Sequence, residues 1–581
     1  MSKFMLNELS GCLVLCSGLL LMGCGRQAGS SNSTNSPVAA APSTGTVWFE
    51  DLTARTGLSF QHVAGTDYSM PDQMGGGGAF LDYDNDGRLD LYLVQTGGLN
   101  RRATNQLFHQ EANGTFRDVS AGSGLDVTGR GMGAIAGDLN NDGRADVIVT
   151  EYGAVRCFMN VGVGHFQELT REAGLDNPRW AVPASLLDFD RDGWLDLVVG
   201  NYVDFDPTRV CSDVQGRQDF CGPKQFGDTT TRLWRNVTGT PGGPVRFEDY
   251  TERSKLSRVA GAALGLLCAD LDGDGWPDIF CADDQRPNRV FMNQRDGTFR
   301  EEAVPRGLAF TAMGTVAANM GVAWADIDGD GLGDLFTTHL SDEFHSLFVQ
   351  GPRGLFSDRT GTSGLQQQAW RGTGWGTVLV DFDDDGSPDL AFLNGMVRRM
   401  APAQTPILLG VDEWWGRYAQ KPQLFANIGA GKFRDISLAN SALCGPAFNG
   451  RGLLVGDVDA DGAMDLVLCG VGGPVRLLRN VASRRGHWLG LRVIDPQRGG
   501  RDAIGAEVRV VTGQRTRFAL AQPATSYLAS HDPTLHFGLG AETSVQNIQV
   551  LWPDGQRETF PGGAVDRVQV LRKGSGQADA K

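Results

Sequence analysis

Aspartates recur at a fixed spacing along this chain of 581 residues. The stretch from Ala269 to Phe280, ADLDGDGWPDIF, carries them at positions 1, 3, 5 and 9 of a nine-residue pattern, with no lysine or arginine among them. Carboxylates at alternate positions of a tight loop can converge on one point, and a hard cation such as Ca²⁺ takes about six to eight oxygen ligands. The spacing therefore predicts a Ca²⁺ site.

The same pattern occurs seven times, and we call the copies acidic loops 1 to 7. Position 6 is always glycine, which permits a sharp bend, and position 7 can offer a backbone carbonyl. Asn140 at position 3 of loop 2 is a neutral oxygen ligand and is expected to weaken that site. The predicted ligands are Asp82, Asp84, Asp86 and Asp90; Asp138, Asn140, Asp142 and Asp146; Asp188, Asp190, Asp192 and Asp196; Asp270, Asp272, Asp274 and Asp278; Asp326, Asp328, Asp330 and Asp334; Asp381, Asp383, Asp385 and Asp389; and Asp457, Asp459, Asp461 and Asp465. Up to seven ions are expected.

The alternative is that Asp-Gly makes a hairpin turn without any metal. Four acidic side chains are more than a turn requires, so the pattern favours metal. The loops also differ from EF-hands, because no position 12 carries the bidentate glutamate of that motif.

The segments around each loop read as strands, for example GAFLDYDNDGRLDLYLVQ, so each loop is predicted to be the turn of a β-hairpin. Two more strand-like pieces follow, such as NQLFHQ and GTFRDVSAGSGL, and four strands at this period are typical of a propeller blade. The seventh unit lacks its last strand, whereas TVWFEDLTARTGL begins at Thr46. We predict an all-β fold in which residues 46–483 form a seven-bladed propeller closed by that N-terminal strand.

The loops and the LFxN…GxFxDxT strands resemble the FG-GAP and VCBS repeat families, as in integrin-type propellers. Residues 487–573, with HWLGLRVID, SYLASHDPTLHFGLG and VQNIQVLWPDGQRETF, resemble the ASPIC/UnbV domain, and 574–581 are a tail. Together the two halves are similar to bacterial relatives of cartilage acidic protein. The resemblance implies a calcium-loaded propeller followed by a small β-sandwich-like domain, without an agreed enzymatic activity. That domain is expected either to dock or bind a ligand, or only to cap the propeller.

The N-terminus reads as an export signal. GCLVLCSGLLLMGC is apolar but too short to span a bilayer, and it ends in a lipobox-like Leu21-Met22-Gly23-Cys24. Residues 1–24 are therefore interpreted as a lipoprotein-type signal with Cys24 acylated, and 25–45 as a flexible linker. A plain secretory signal is the alternative, and it would leave the protein secreted instead of anchored in the cell envelope.

Two long insertions are the predicted sites of specificity, because loops on a rigid scaffold usually carry it. The first contains Cys211 and Cys221, which we expect to form a disulfide in an exported protein. The pairing of the other cysteines stays open. The second contains Trp414 and Trp415, which either form a binding platform or fix the loop to the body of the protein.

The formal charge of −16 argues against nucleic acid as a partner. The histidines are scattered, and the one cluster, His339 and His345, reads more readily as structural. We therefore expect a non-enzymatic, lipid-anchored, calcium-binding module for binding or adhesion, with a glycan or protein ligand. The alternatives are a polysaccharide lyase or hydrolase on a propeller scaffold, and a purely structural envelope protein.

Overall fold

Repeated hairpins organise most of the chain. The computed structural model describes residues 47–97, 100, 102–399, 407–483, 485–513 and 515–578. The predicted signal, Cys24 and the linker lie outside these residues. Residues 45–581 form one compact unit.

Seven sheets share one plan, in which four antiparallel strands follow one another from the innermost to the outermost. Their strands are, in sheet 1, Gly78–Leu81, Asp90–Leu93, Gln106–Gln110 and Phe116–Asp118; in sheet 2, Gly131–Gly137, Asp146–Glu151, Ala154–Gly162 and His165–Glu168; in sheet 3, Ala181–Leu187, Asp196–Asn201, Arg232–Asn236 and Phe247–Asp249; in sheet 4, Ala263–Ala269, Asp278–Arg286, Arg289–Asn293 and Phe299–Glu301; in sheet 5, Val322–Ala325, Asp334–Thr337, Ser346–Gln350 and Phe356–Asp358; in sheet 6, Gly374–Val380, Asp389–Asn394, Gln423–Asn427 and Phe433–Asp435; and in sheet 7, Asn449–Gly456, Asp465–Val471, Arg476–Asn480 and Phe49–Asp51. Each acidic loop joins the first strand of its sheet to the second.

Sheet 7 takes its outer strand from the N-terminus, as the sequence predicts. Phe49 registers with Asn480 and Asp51 with Leu478, both in the third strand of that sheet. The pairing gives the last repeat the strand that its own sequence lacks, and it covers the free edge of Arg476–Asn480. The predicted pairing of the N-terminal strand is confirmed.

The apolar cores lie between neighbouring sheets. Leu107 of sheet 1 clusters with Val147 of sheet 2, and corresponding clusters join sheets 2 and 3, 3 and 4, 4 and 5, 5 and 6, and 6 and 7. A further cluster brings Leu91 of sheet 1 against Val467 of sheet 7. This all-β arrangement is consistent with a propeller, because each sheet buries both of its faces against a neighbour.

The C-terminal residues form two further sheets around their own apolar cluster, which includes Leu491, Val508 and Ile548. In one sheet His487–Asp495 pairs with Arg501–Asp502, Leu535–Gly540 and Arg567–Arg572. In the other the strand order is Thr516–Leu520, Glu507–Val511, Ser544–Leu551, Arg557–Ala564 and Gln577–Ala578. Two sheets enclosing one core agree with the small β-sandwich-like domain that the resemblance implies.

The remaining elements are short. Val203–Asp204 pairs with Gly227–Asp228, Cys211–Ser212 with Gln218–Asp219, and Ala317–Ala318 with the second strand of sheet 4. The helical turns are Thr53–Thr56, Met70–Met74, Pro223–Gln225, Leu256–Arg258, Ala303–Arg306, Thr360–Thr362, Glu413–Gly416, Ser437–Ala439, Ser441–Cys444 and Pro496–Arg498. Among the described residues, none of the helices has the length and apolar character needed to cross a membrane.

Candidate metal centre

Two left-handed residues shape each acidic loop. The glycine at position 6 has a φ between 83° and 91° in every copy, and position 4 also has a positive φ, from 55° at Ala460 to 80° at Gly273 and Gly329. The strain at position 4 was missed from the sequence. The sequence does indicate this conformation, because position 4 is Asn or Gly in four of the seven copies and these residues tolerate a left-handed backbone best.

The aspartate at position 1 ties the loop together. In loop 2, Asp138 Oδ1 accepts from the backbone N–H of Asp142 at 3.1 Å, and Oδ2 accepts from Gly143 at 2.7 Å. The bond from the position 6 glycine recurs in all seven loops. These bonds fix the turn and leave the carboxylate at its centre.

The aspartate at position 9 is held from two sides. One oxygen accepts from the backbone N–H of position 2. The other accepts, at 2.8 Å in every sheet, from a backbone N–H at or near the end of the third strand, that of Gln110, Asn160, Asn236, Asn293, Gln350, Asn427 or Asn480. This carboxylate is fully buried. Burial raises the pKa of Asp90 and Asp334 to about 8, and the pKa of Asp146, Asp196, Asp278, Asp389 and Asp465 well above the usual range. A buried carboxylate of this kind calls for a positive charge beside it.

Carboxylates at positions 1, 3 and 9 lie close together in four of the loops. One carboxylate oxygen from each of Asp188, Asp190 and Asp196 lies within 4.8 Å of the other two, and the same holds in loops 1, 4 and 5. In loop 1, Asp84, Asp86 and His109 form a second group of this kind. His109 was missed as a member because it comes from the third strand and not from the loop.

Unpaired oxygens point to a ligand. Among the described residues, the following loop atoms are buried without a hydrogen-bond donor: Asn140 Oδ1, Asp188 Oδ1, Asp190 Oδ1, Asp272 Oδ1 and Asp383 Oδ1. An unpaired buried oxygen is costly, and a hard cation with oxygen ligands would satisfy several at once. The residues present therefore fit Ca²⁺.

Position 5 is not uniformly free for a metal. Its carboxylate contacts an arginine in loops 1, 2, 3, 4 and 7, through Arg88, Arg144, Arg235, Arg295 and Arg479. Arg88 and Arg144 stand at position 7 of the motif itself, whereas Arg235, Arg295 and Arg479 lie outside the nine-residue pattern and could not be read from it.

An amide side chain links six of the seven sheets to the loop before them. Asn160 Nδ2 of sheet 2 donates to the carbonyl of Tyr83 at position 2 of loop 1, 2.7 Å away. Equivalent bonds run from Asn236, Asn293, Asn427, Asn480 and Gln110. The recurring final residue of the LFxN strand is thereby explained: its backbone holds the position 9 aspartate and its side chain holds the neighbouring loop.

Residues 521–532 of the C-terminal domain, here called the axial segment, lie among the innermost strands of all seven sheets. Ala529 registers with Gly78 of sheet 1 in parallel, and Ser526 exchanges backbone bonds with Val322 of sheet 5 at 2.7 and 3.0 Å. Ser530 Oγ, Gln522 Nε2, Ser526 Oγ and His531 Nδ1 contact the innermost strands of sheets 2, 3, 4, 6 and 7.

The axial segment also explains the glycines of the innermost strands. A Cβ at Gly77 would lie 2.1 Å from the carbonyl oxygen of Leu528, and one at Gly133 would lie 2.8 Å from its Cα. Glycine at these positions makes room for Leu528, so the neighbour that requires it is in the C-terminal domain.

The C-terminal domain also contacts the acidic loops directly. Arg498 and Arg501 donate to the carbonyls of Asp192 and Gly193 in loop 3, at 3.1 and 3.2 Å. His536 Nε2 lies 2.7 Å from Asp384 Oδ1 in loop 6. These are contacts that the capping alternative for this domain requires.

The two insertions follow the second strands of sheets 3 and 6, so they leave the opposite ends of the strands from the acidic loops. They meet each other: Tyr418 Oη donates to Asp219 Oδ1 at 2.9 Å, and Phe220 stacks on Trp415. Cys211 and Cys221 are joined by a disulfide. Trp415 is 1% exposed, which makes it a residue that fixes the loop, whereas Trp414 is half-buried.

The histidine cluster is structural. His345 Nδ1 accepts from the backbone N–H of His339 at 2.9 Å, and burial lowers the pKa of His345 to about 3 and of His339 to about 4. Cys268 and Cys281 are free and buried, and they do not face each other, because Cys268 registers with Ile279.

Two family models match the chain. One, described as ASPIC and UnbV, covers residues 496–578, and the other, an FG-GAP-like repeat, covers 82–149, 138–199 and 270–337. The chain therefore carries FG-GAP-like repeats followed by a C-terminal ASPIC/UnbV domain, and the resemblance inferred from the sequence is confirmed.

Curated relatives share most of the chain. It is 25% identical to cartilage acidic protein 1 of Mus musculus over 529 residues, which is 84% of this chain and 72% of that protein. Against the Homo sapiens protein of the same name it is 25% identical over 516 residues, 84% of this chain and 70% of that protein. Among solved structures, an Agrocybe aegerita lectin that recognises non-reducing terminal N-acetylglucosamine is 16% identical to this chain. The match covers 62% of this chain and 79% of the lectin chain, with a TM-score of 0.36. That likeness is too low to support an argument.

Proposed function

We propose that this chain is an exported, calcium-loaded, seven-bladed propeller that serves as a binding or adhesion module. The observation that carries the proposal is the convergence of buried carboxylates in the acidic loops. These loops lie on sheets that are joined by apolar clusters between neighbours, including one between sheet 7 and sheet 1. In the proposed state, oxygens of positions 1, 3, 5 and 9 hold up to seven Ca²⁺ ions, which neutralise and order the hairpins.

The ligand surface in this proposal is the one formed by the two insertions. They expose apolar side chains that are not packed against the rest of the protein: Val210 is 71% exposed, Val214 97% and Leu409 93%. Arg217, Arg398 and Arg417 lie near Asp213 and Glu413 in the groove between the insertions. A mixed apolar and charged surface of this kind suits a glycan or a protein partner, and the charge of −16 disfavours nucleic acid.

An enzymatic role finds no support in the axial region. A catalytic group of a propeller enzyme is expected to face the central channel, and the axial segment occupies the space between the innermost strands. The relatives named cartilage acidic protein 1 are consistent with a non-enzymatic role. Anchoring through an acylated Cys24 remains part of the proposal, with the protein held in the cell envelope.

Metal analysis and ligand binding on one preparation test the proposal. Calcium content is measured after dialysis against calcium-free buffer and against buffer with about 1 mM Ca²⁺. Binding to arrays of glycans and of extracellular proteins is measured with Ca²⁺ and with EDTA. The variant Val214→Asp with Leu409→Asp alters the insertion surface, and Val163→Asp, on an exposed hairpin of sheet 2, is the matched control. Calcium-dependent binding that only the insertion variant loses supports the proposal. Absence of bound calcium would refute it.

A further inference from the structure

One strand of the C-terminal domain, Arg567–Arg572, is open along one side, and we call it the edge strand. It pairs in parallel with His487–Asp495, and no second strand among the described residues pairs with it. Leu535–Gly540, on the other side of His487–Asp495, is covered instead, because the N–H of Gly540 donates to the carbonyl of Asp384 in loop 6 at 2.8 Å. The edge strand is therefore the uncovered end of its sheet.

The edge strand is longer than the outermost strands of the seven sheets. Each of those strands has three or four residues, and a short edge offers few backbone groups for pairing with another chain. The edge strand has six residues. At about 3.3 Å per residue it extends over about 20 Å, which is enough for another strand to pair along it.

Two valines direct their backbone groups to the open side. Lys573, which follows the edge strand, donates its N–H to the carbonyl of Ile494 on the paired side at 3.0 Å. The backbone groups of successive residues in a strand point to alternate edges, so every second residue counted back from Lys573 also faces the paired side. Val568 and Val570 are the residues in between, and their N–H and C=O groups therefore point away from the sheet.

The side chains of these valines lie in a cleft beneath the C-terminal domain. Val568 is 53% exposed and Val570 45%, and both border a cavity of about 560 Å³ that acidic loops 1, 2 and 7 also line. Leu571, on the other face of the strand, is buried in the apolar core of the domain. The edge strand thus turns apolar side chains towards a space that can hold the side chains of a partner.

An arginine stands at each end of the edge strand. Arg567 and Arg572 are exposed, and neither forms an ion pair with a carboxylate of the described residues. If two copies of the chain paired their edge strands in antiparallel register, Arg567 of one copy would lie opposite Arg572 of the other. Like charges opposite each other destabilise a strand pair, whereas opposite charges stabilise it. The two arginines therefore oppose pairing with a second copy and favour a segment that carries carboxylates.

We propose that the edge strand is a docking site for an extended, acidic polypeptide segment of a partner protein, which adds to this sheet as a further strand. The backbone of the segment pairs with Val568 and Val570, its apolar side chains lie beside the valines in the cleft, and its carboxylates meet Arg567 and Arg572. The cleft lies at the acidic-loop end of the sheets, whereas the two insertions leave the opposite end. This site is therefore separate from the ligand surface proposed above and does not depend on it.

Peptide binding to the full-length protein, measured by fluorescence anisotropy, tests the proposal. The labelled peptide has a valine-threonine-valine-threonine core with two glutamates at each end, and two further peptides carry glutamine or lysine in place of the glutamates. The glutamate peptide should bind about ten-fold more tightly than the glutamine peptide, because both arginines meet a carboxylate, and the lysine peptide should bind least. Val570→Pro removes an outward N–H and should lower the affinity at least about ten-fold. Val570→Ile keeps that N–H and is the matched control.

A reversal of charge keeps the test decisive if the proline disturbs folding. Arg567→Glu combined with Arg572→Glu should reverse the preference, so that the lysine peptide binds more tightly than the glutamate peptide, and a misfolded protein would not gain this binding. Arg300→Glu, at an exposed residue of an outer strand, should leave the preference unchanged. Equal affinity for the three peptides, or binding that Val570→Pro does not weaken, would overturn the proposal. Self-association that Val570→Pro abolishes would assign the edge strand to a second copy of the chain and would overturn it as well.

Discussion

Gln110 and Val458 are joined by a hydrogen bond of 2.7 Å, from the side-chain amide of one to the backbone carbonyl of the other, across 348 residues of sequence. The bond ties the third strand of sheet 1 to loop 7, and it is the same bond that Asn160 makes to loop 1. Among the described sheets, sheet 5 alone departs from the scheme, because Gln350 donates to Gly333 of its own sheet.

Replacing Gln110 tests the importance of this link. Gln110→Met leaves the buried carbonyl of Val458 without its donor, and we expect a loss of about 1–3 kcal/mol in the free energy of unfolding. Urea denaturation of the calcium-loaded protein measures it. Gln167→Met, at an exposed position of an outer strand, is the control and should change little. Equal losses in the two variants would contradict the role assigned to the amide.

Removing calcium should destabilise the protein strongly. Each ion present at about 100 times its Kd contributes about 2.7 kcal/mol, so chelation of several ions should lower the melting temperature by about 10 °C or more. Calorimetry with EDTA measures the shift, and EDTA already saturated with Ca²⁺ is the control. An unchanged melting temperature would contradict the architectural role proposed for the ions.

Shortening Leu528 tests the axial segment. This side chain is 5% exposed and lies beside Gly77 and Gly133. Leu528→Ala should cost about 2–5 kcal/mol, because it opens a cavity among the innermost strands. Val568→Ala, whose side chain is 53% exposed, provides the comparison in the same denaturation experiment. If both variants show the same small loss in the free energy of unfolding, the axial segment is not packed as described.

Acid should destabilise the protein through His345. Burial lowers its folded pKa to about 3 from the usual 6.5, so the unfolded chain binds the proton first as the pH falls. The stability that neutral His345 provides is complete above pH 6.5, and about 2 kcal/mol of it is lost by pH 5.

His345→Asn keeps an acceptor for the N–H of His339 and does not titrate. We expect its free energy of unfolding to fall less than that of the wild type between pH 7 and pH 5. His165→Asn, at an exposed residue, should follow the wild type. Identical pH profiles for all three proteins would rule out the contribution assigned to His345.

Anchoring depends on the choice of cysteine. Cys24→Ser should move the protein from the detergent phase to the aqueous phase in a Triton X-114 partition, because acylation needs the thiol. Leu9-Ser10-Gly11-Cys12 also fits the lipobox pattern but has no apolar stretch before it, so Cys12→Ser should leave partitioning unchanged. If the Cys12 variant lost the anchor and the Cys24 variant kept it, Cys24 would not be the acylated cysteine.

Much of the fold could be predicted from local pattern. The spacing of the aspartates, the glycine at position 6 and the displaced strand at Phe49 are each visible within a few residues, and sheet 7 is built as they indicate. The axial segment was not predictable in the same way. AQPATSYLASHDP has neither strand nor helix periodicity, and its partners, such as Val322 and Gly78, lie hundreds of residues away.

The predicted metal-binding positions and the residues that contact them differ in the same way. Positions 1, 3, 5 and 9 were evident because they belong to one short motif. Arg235, Arg479 and His109 reach the loops from a strand whose position is fixed only when the sheet forms, so their spacing to the motif varies with each insertion. Sheet 3 shows this most clearly, since the first insertion separates Asp196 from Arg232.

The two ends of the chain set an order of events for its synthesis. The strand Phe49–Asp51 must wait for Arg476–Asn480, and the innermost strands acquire their axial contacts only when residues 521–532 have emerged. A chain that is still being made lacks both, so sheet 7 and the axial contacts stay incomplete until nearly all of it has been synthesised. If the chain is exported as we propose, the fold is therefore completed only after most of the chain has crossed the membrane.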